Sequence, residues 1–365
     1  MAALCALRST RRARLPKQLP PRSFCRAAAC TGFGRGAGLP GAAELARRRA
    51  AGAAGPGAAD LGAEPLAPCG FGARLRGLDL SGPLSPALAG LLAATACAHG
   101  GLLCIEAGEI RRADLVRFSR LFGKLQRSPA SELARAGDGV VEGPEAPFVW
   151  EISNAVENGR PLGALGSAEL EWHSDMSFVE RPPTYSILYA AQVPVSGRPH
   201  TCFASMTHAL GRLPASLRRQ IEGRMVVHDG SCTSDGQLRK GFAPVMDVAR
   251  NSQGTPHPAI RLLPETGELA LFLGRRTNSY IVGLPVAKSE ELLDALWGAT
   301  VATAGGARAM SGPEPPGFYC HAWRRGDLLV WDNRRLVHRR DAFDSASLRR
   351  MWRTQVEGEA VLPSG

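Results

Sequence analysis

The stretch Trp172-His173-Ser174-Asp175 places a histidine and an aspartate two residues apart in a chain of 365 residues. In a β-strand, side chains two apart point to the same face, so His173 and Asp175 would present an imidazole and a carboxylate side by side. Such a pair is two thirds of the facial triad of two histidines and one carboxylate that binds iron in non-haem Fe(II) oxygenases. With 8 histidines and 33 acidic residues in the chain, chance alone could supply one such pair, and a second histidine must come from elsewhere.

The composition is that of a globular protein whose body carries little net charge. Hydrophobic residues make up 44% of the chain, which is enough to bury a sizeable core. No uninterrupted apolar run reaches the roughly 18 residues that a spanning helix needs. The formal net charge is +11, but residues 1–59 hold eleven Lys or Arg side chains and the single acid Glu44. Because the remaining chain is nearly neutral, we expect neither a nucleic-acid nor a membrane partner.

The first sixty residues differ from the rest. They are rich in Ala, Gly, Arg and Pro, and they lack the apolar centre of a secretory signal. Two interpretations stay open: an organelle transit peptide, for a plastid or mitochondrion, or a disordered extension of a cytoplasmic protein. We therefore predict a disordered, targeting-like extension over residues 1–60 and a folded domain over residues 61–360.

The nine cysteines are odd in number and irregular in spacing, and no Cys-x-x-Cys occurs. This pattern argues against a disulfide framework and against a thiolate zinc site. We expect reduced, mostly buried thiols.

Many short strands and a few helices are predicted after residue 61. Ser85-Pro86 begins a helix, and further helices are expected over residues 111–122 and over residues 207–220. Another helix is expected to follow Ser289, which would be its N-cap. The strand-like segments are residues 102–105, 148–152, 185–189, 201–203, 257–273, 328–331 and 348–356. Residues 128–170 are rich in Gly, Pro, Ala and Glu, which suits either an active-site lid or a variable surface loop. Mainly β structure with flanking helices indicates a double-sheet jelly roll, the cupin-like double-stranded β-helix.

A late histidine and a pair of arginines complete the candidate site. His338 follows the apolar strand Leu328–Trp331, at a place where the chain returns to the core. In the final strand, Arg349, Met351 and Arg353 share one face. If that face points inward it buries two guanidinium groups, which would then need anionic partners. The alternative is that these arginines face the solvent.

These residues together resemble the taurine dioxygenase and 2,4-dichlorophenoxyacetate dioxygenase family of Fe(II)- and 2-oxoglutarate-dependent enzymes. The resemblance covers roughly residues 65–358. Its signposts follow one another in the family's order: Trp172-His173-Ser174-Asp175, Gly197 to Thr201, His257-Pro258, Pro264-Glu265-Thr266-Gly267, Gly283-Leu284-Pro285, Trp331-Asp332-Asn333-Arg334, His338 and Arg349 to Arg353.

The resemblance implies roles residue by residue. His173, Asp175 and His338 match the three iron ligands, and Arg349 matches the residue that pairs with the far carboxylate of 2-oxoglutarate. Thr201 matches the hydroxyl that supports the same carboxylate. Arg353 matches an arginine that meets an anionic group of the substrate. Fe(II) is the implied cofactor, with 2-oxoglutarate and O2 as cosubstrates and succinate and CO2 as products.

The implied function is hydroxylation of a small anionic substrate, a sulfonate or a carboxylate. Taurine itself is doubtful, because residues 128–170 contain no His or Tyr and Glu169 occupies a position where the taurine enzymes have asparagine. Glu169 could contact a cationic part of the substrate or face solvent. The alternatives are a hydroxylase of a betaine-like or aryloxyalkanoate carboxylate, an inactive jelly-roll binding protein, and a zinc hydrolase that would leave Arg349 and Thr201 without a purpose. A homo-oligomer is compatible with the sequence.

Overall fold

The structure, a computed structural model, describes residues 61–66, 69–128, 144–145, 147–194, 199–239, 252–301 and 315–364. The extension predicted over residues 1–60 lies outside this part of the chain, as does most of residues 128–146. The transit-peptide interpretation and the organelle address stay predictions.

Short strands dominate the described residues. The strands are β1 (Glu64–Pro65), β2 (Ala73–Leu75), β3 (Leu102–Glu106), β4 (Trp150–Ser153), β5 (Val156–Glu157), β6 (Arg160–Pro161), β7 (Ala164–Leu165), β8 (Leu170–His173), β9 (Tyr185–Gln192), β10 (His200–Ser205), β11 (Met225–Val227), β12 (Pro256–Pro258), β13 (Ile260–Leu263), β14 (Glu268–Leu271), β15 (Tyr280–Ile281), β16 (Phe318–Ala322), β17 (Asp327–Asp332), β18 (Leu336–Arg340) and β19 (Arg350–Gln355). The helices are α1 (Pro86–Ala98), α2 (Arg112–Ser119, continued by a 3-10 turn at Arg120–Phe122), α3 (Met206–Arg212), α4 (Ala215–Ile221) and α5 (Val286–Thr300).

Two sheets face each other, and the predicted jelly roll is confirmed. The larger sheet has the strand order β1-β2-β3-β17-β9-β19-β4-β7, and the smaller has the order β16-β10-β18-β8. Phe203 of the smaller sheet packs on Trp331 of the larger one, with ring centroids 5.5 Å apart. The apolar layer between the sheets also contains Leu188, Leu329 and Met351. This layer holds the two sheets together and surrounds the inward-facing polar groups described below.

Strand β17 shows why the central strands are continuous apolar runs. Leu329 and Trp331 point into the layer between the sheets, whereas Leu328 and Val330 point to the opposite face. On that face they pack with Leu92 of α1 and with residues of α2. Since both faces of the strand are covered, no position in it is left for a solvated side chain. A separate cluster, with Leu293 and Trp297 of α5, covers the outer face of the smaller sheet.

Several helix boundaries differ from prediction. The helix expected over residues 207–220 is split into α3 and α4 by Leu213-Pro214, because proline cannot donate its backbone N–H within a helix. Ser85 caps α1 as predicted, its Oγ accepting from the backbone N–H of Ala87. Ser289 does not cap α5, which begins at Val286. Instead, Ser289 is buried and its Oγ accepts from the backbone N–H of Ile281 at 2.9 Å.

The expectation of reduced thiols is wrong for two cysteines. Cys202 of β10 and Cys320 of β16 are joined by a disulfide. They are 118 residues apart in sequence, and the antiparallel register makes them direct cross-strand partners. Sequence spacing could not show this because the pairing comes from the sheet. Among the described residues, Cys97, Cys104 and Cys232 are free thiols.

No described helix is long and apolar enough to cross a membrane.

Candidate active site

Three predicted ligands meet at one end of the layer between the sheets. His173 of β8 and His338 of β18 are cross-strand partners, with ring centroids 4.2 Å apart. Asp175 Oδ1 lies 3.7 Å from Nε2 of His173 and 3.9 Å from Nε2 of His338. The potential ligand atoms of all three residues lie within 4.8 Å of one another, and all three residues are buried. The predicted convergence of these residues is therefore confirmed.

Asp175 lies next to the histidines for a different structural reason from the one predicted. Strand β8 ends at His173, and Asp175 lies in the turn that follows. The turn is held at Ser174, whose backbone N–H donates to the carbonyl of Gly274 at 2.7 Å and whose Oγ donates to the carbonyl of Asn333 at 2.9 Å. The carboxylate and the imidazole are neighbours because of this anchored turn and not because of strand alternation.

A chain of hydrogen bonds fixes the Asp175 carboxylate. Trp331 Nε1 donates to Oδ1 of Asn333 at 3.0 Å, and Asn333 Nδ2 donates to Oγ of Ser186 at 2.9 Å. Ser186 Oγ in turn donates to Oδ2 of Asp175 at 2.7 Å. With Oδ2 occupied, Oδ1 faces the two imidazoles. Residues that orient a ligand in this way determine how well a metal site is preformed.

Both histidines are held in the neutral form that a metal requires. Burial, together with the neighbouring His173 and Arg353 and against the opposing effect of Asp175, lowers the pKa of His338 to about 3. Burial also lowers the pKa of His173. The Nδ1 of His173 lies 2.7 Å from the carbonyl oxygen of Glu171, so the proton belongs on Nδ1 and the Nε2 lone pair faces Asp175.

Asp175 is ionised at neutral pH. Burial raises its pKa, but Arg353, the two imidazoles and the Ser186 hydrogen bond together lower it well below its usual value. Two neutral imidazoles and one carboxylate form the donor set of a non-haem Fe(II) site. The residues present therefore fit Fe(II).

Arg353 points into the site. Of the two orientations left open for its face of the last strand, the structure shows the inward one. Its NH1 donates to Asp175 Oδ1 at 3.1 Å, and its guanidinium carbon lies 4.2 Å from the ring centroid of Trp150. The family resemblance implies that Arg353 contacts an anionic group of the substrate. In the structure, which contains no substrate, its anionic partner is the carboxylate of Asp175. The guanidinium supplies positive charge beside the oxygen that faces both imidazoles.

Arg349 and Thr201 also face inward. Arg349 is 2% exposed, and its guanidinium has no hydrogen-bond acceptor among the described residues. Burial, assisted by the positive charge of Arg340, lowers its pKa to about 9, so it stays cationic at neutral pH. Thr201 Oγ1 accepts from Trp323 Nε1 at 2.8 Å, which leaves the hydroxyl proton available for another acceptor.

Glu169 does not line the site. Its side chain is 56% exposed, and its carboxylate lies 3.7 Å from NH1 of Arg339, on the outer face of β18. Of the two open possibilities for this residue, the structure favours the one in which it faces the solvent. The described part of the predicted lid forms β4 to β8, of which β4 supplies Trp150 to the pocket.

Several residues of the pocket beside the metal ligands were not predicted from the sequence. Apolar walls come from Trp150, Leu165, Met176 and Phe178, and positive charge comes from Arg239, Arg275 and Arg353. Arg275 is occupied by the carbonyls of Asp229, Cys232 and Thr233. Arg239 donates through Nε to the carbonyl of Cys232 at 3.2 Å and lies over the ring of Phe178, with its terminal nitrogens unpaired among the described residues. Both arginines lie outside the helices and strands that were predicted from the sequence.

Comparison with known proteins indicates the same family that the sequence motifs resemble. Residues 62–355 match the family model described as the taurine catabolism dioxygenase TauD, TfdA family. A pentalenolactone F synthase of Streptomyces arenae is 31% identical over 247 residues, which are 65% of this chain and 76% of that protein. A (S)-phenoxypropionate/alpha-ketoglutarate-dioxygenase of Delftia acidovorans is 26% identical over 252 residues, 67% of this chain and 77% of that protein. The crystal structure of AAD-2 with Mn(II) and N-oxalylglycine superimposes with a TM-score of 0.64 at 25% identity, covering 83% of this chain and 99% of that one.

Proposed function

The chain belongs to the TauD, TfdA family and is a dioxygenase that uses Fe(II), 2-oxoglutarate and O2, and we propose that it hydroxylates a small anionic compound with an apolar body. The observation that carries the proposal is the pairing of cationic and apolar groups in one pocket beside the ligand set. Arg239 has unpaired terminal nitrogens there, among the described residues, and Phe178 and Trp150 provide aromatic surface.

Each site residue has a proposed task. His173, Asp175 and His338 hold the iron. Arg349 and Thr201 bind the far carboxylate of 2-oxoglutarate, because both offer donors that the described protein does not use. With Fe(II) and 2-oxoglutarate bound, the site would supply O2 activation for the oxidation of a C–H bond, with succinate and CO2 as the products of the cosubstrate.

The remaining residues of the pocket position the substrate. Arg239 binds the substrate anion, and Arg353 adds positive charge on the side of Asp175. The apolar walls exclude water and aim the C–H bond at the metal, which is the usual contribution of the protein in such enzymes.

A carboxylate on an aromatic or alicyclic body fits this pocket better than a betaine-like cation. Quaternary ammonium groups are bound by open aromatic faces or by carboxylates. Here the faces of Trp150 and Phe178 are covered by the guanidinium groups of Arg353 and Arg239. Aryloxyalkanoates are therefore the first class to test, with sulfonates and sulfate esters as the second. A relative named for phenoxypropionate supports this order.

The test is substrate-coupled succinate release. Iron-loaded enzyme is incubated with 2-oxoglutarate, O2 and members of each class, and succinate is measured. We expect a carboxylate or sulfonate with an apolar body to stimulate release, and Arg239→Met to raise the KM for it by about tenfold, the cost of one charge-assisted contact. Arg218→Met, on the exposed face of α4, is the matched control. No stimulation by any anion, or an unchanged KM in Arg239→Met, would contradict the proposal.

A further inference from the structure

Arg340 is a buried cation on the same inward face as the metal ligands. It lies two residues after His338 on β18, and it is 3% exposed. The register of β10 with β18 makes it the direct cross-strand partner of Thr201. Directly opposite residues of an antiparallel pair point to the same side of the sheet, so Arg340 and Thr201 enter the layer between the sheets next to each other.

The hydrogen bonds of Arg340 use only one of the three nitrogen atoms of its guanidinium. NH2 donates to the backbone carbonyls of Leu165 and Ala168. Nε and NH1 are buried and have no hydrogen-bond acceptor among the described residues. Asp235 exerts an electrostatic attraction on Arg340, but no ion pair joins the two. Buried donors without acceptors are costly, so an acceptor supplied by a ligand would stabilise them.

Arg340 and Arg349 form a like-charge pair around one aromatic ring. Their guanidinium carbons lie 5.2 Å and 5.9 Å from the centroid of Phe343. Among the described residues Arg349 has no acceptor for its guanidinium, and the charge of Arg340 disfavours its protonated form. Two neighbouring buried cations destabilise each other unless an anion lies between or beside them.

We propose that Arg340 is a second guanidinium for the far carboxylate of 2-oxoglutarate, acting together with Arg349 and Thr201. The inference rests on the proposed placement of the cosubstrate at Arg349 and Thr201. A carboxylate has about four acceptor positions, enough for one hydroxyl and two guanidinium groups. Its negative charge also removes the repulsion between the two arginines, so binding gains from both effects.

The competing explanation is that Arg340 only anchors the loop at Leu165 and Ala168. The two roles differ in their dependence on the far carboxylate. A direct contact affects 2-oxoglutarate but not 2-oxopentanoate, which has the same five-carbon 2-oxo acid chain without the second carboxylate. A loop anchor affects both compounds equally.

The experiment measures binding by calorimetry on the full chain loaded with Mn(II), which avoids turnover. Arg340→Gln keeps a donor for the loop carbonyls and removes the charge. We expect its Kd for 2-oxoglutarate to rise by about tenfold to a hundredfold, the range for losing a charge-assisted hydrogen bond, while its Kd for 2-oxopentanoate stays within about twofold. Arg340→Lys, which keeps the charge, serves as a second variant and should show the same selective loss at about threefold or more. Arg339→Met, on the outer face of β18, is the matched control and should bind both compounds like the unmodified protein.

The outcomes separate this inference from the proposal on which it rests. An equal loss for both compounds in the Arg340 variants, or no loss for either, overturns the role of Arg340. If Arg349→Met weakens 2-oxoglutarate binding and Arg340→Gln does not, only the present inference fails. If neither variant weakens it, the proposed placement of the cosubstrate fails as well.

Discussion

Replacing Arg353 by methionine tests whether this side chain acts as the counter-charge of the metal-ligand set. Arg353 and Asp175 are 6% and 4% exposed, and NH1 lies 3.1 Å from Oδ1. Removing one partner of a buried ion pair leaves the other charge without compensation, which typically costs about 3–5 kcal/mol. We therefore expect Arg353→Met to lower the unfolding free energy of the metal-free protein by about that amount.

The same strand supplies a control. Arg350 lies on the opposite face of β19 and pairs with Glu151 at 2.7 Å, with its side chain 35% exposed. A pair of this kind contributes about 1 kcal/mol or less. Arg350→Met should therefore be several times less destabilising than Arg353→Met, although the two replacements remove the same atoms.

The decisive measurement is urea unfolding with and without Mn(II). Arg353 and a metal ion compete for the negative charge of Asp175, so removing the arginine should strengthen metal binding. Mn(II) is expected to recover a large part of the lost stability in Arg353→Met and to stabilise it more than it stabilises the unmodified protein. Equal stabilisation of both proteins by Mn(II), or a loss below about 1 kcal/mol without metal, would refute this account of Arg353.

Three further predictions concern the rest of the fold. Asp114→Asn should lower the unfolding free energy by about 1 kcal/mol, because the Asp114 carboxylate accepts the backbone N–H of Arg111, the N-cap residue of α2, and an unchanged urea midpoint would contradict it. Ser289→Ala should cost about 1–2 kcal/mol by leaving the N–H of Ile281 without an acceptor, whereas a role as an exposed cap would allow Ser289→Asn to be neutral. Burial lowers the pKa of both His228 and His338 to about 3, so the unfolded chain binds more protons than the folded metal-free protein below about pH 6.5. Stability should then fall by up to about 1.4 kcal/mol per pH unit per histidine as pH decreases from 6.5 towards 3, and His228→Gln should reduce that slope in urea titrations at pH 7 and pH 5.

The candidate site residues were identified from the sequence through its resemblance to one family, and local patterns alone did not assign them. His173, Asp175 and His338 occur in motifs that follow one another in the family's order. Arg349 follows His338 by eleven residues, which is the spacing expected in that family. The alternation of side chains in the last strand placed Arg349 and Arg353 on one face, which could point either inward or to the solvent. In β17, the unbroken apolar run of Leu328–Trp331 predicted a strand, and the structure shows that both of its faces are covered. The strand patterns depend on neighbours a few residues apart, which the sequence displays directly.

The tertiary structure decided everything that depends on which strands become neighbours. The register of β10 against β16 joined Cys202 to Cys320 across 118 residues, a pairing that spacing rules argued against. The register of β10 against β18 likewise placed Arg340 beside Thr201.

The stretch Trp172-His173-Ser174-Asp175 shows both kinds of information. Its sequence determined that a histidine and a carboxylate would be adjacent, but the strand ends at His173, and a turn held by Gly274 and Asn333 brings Asp175 into position. Arg353, the partner of that carboxylate, comes from a distant segment, and so does Arg239 of the neighbouring pocket, whose terminal nitrogens are unpaired among the described residues. Sequence determines which groups are available for the chemistry. Long-range packing determines which charges end up buried against each other, because that depends on distances that no local pattern contains.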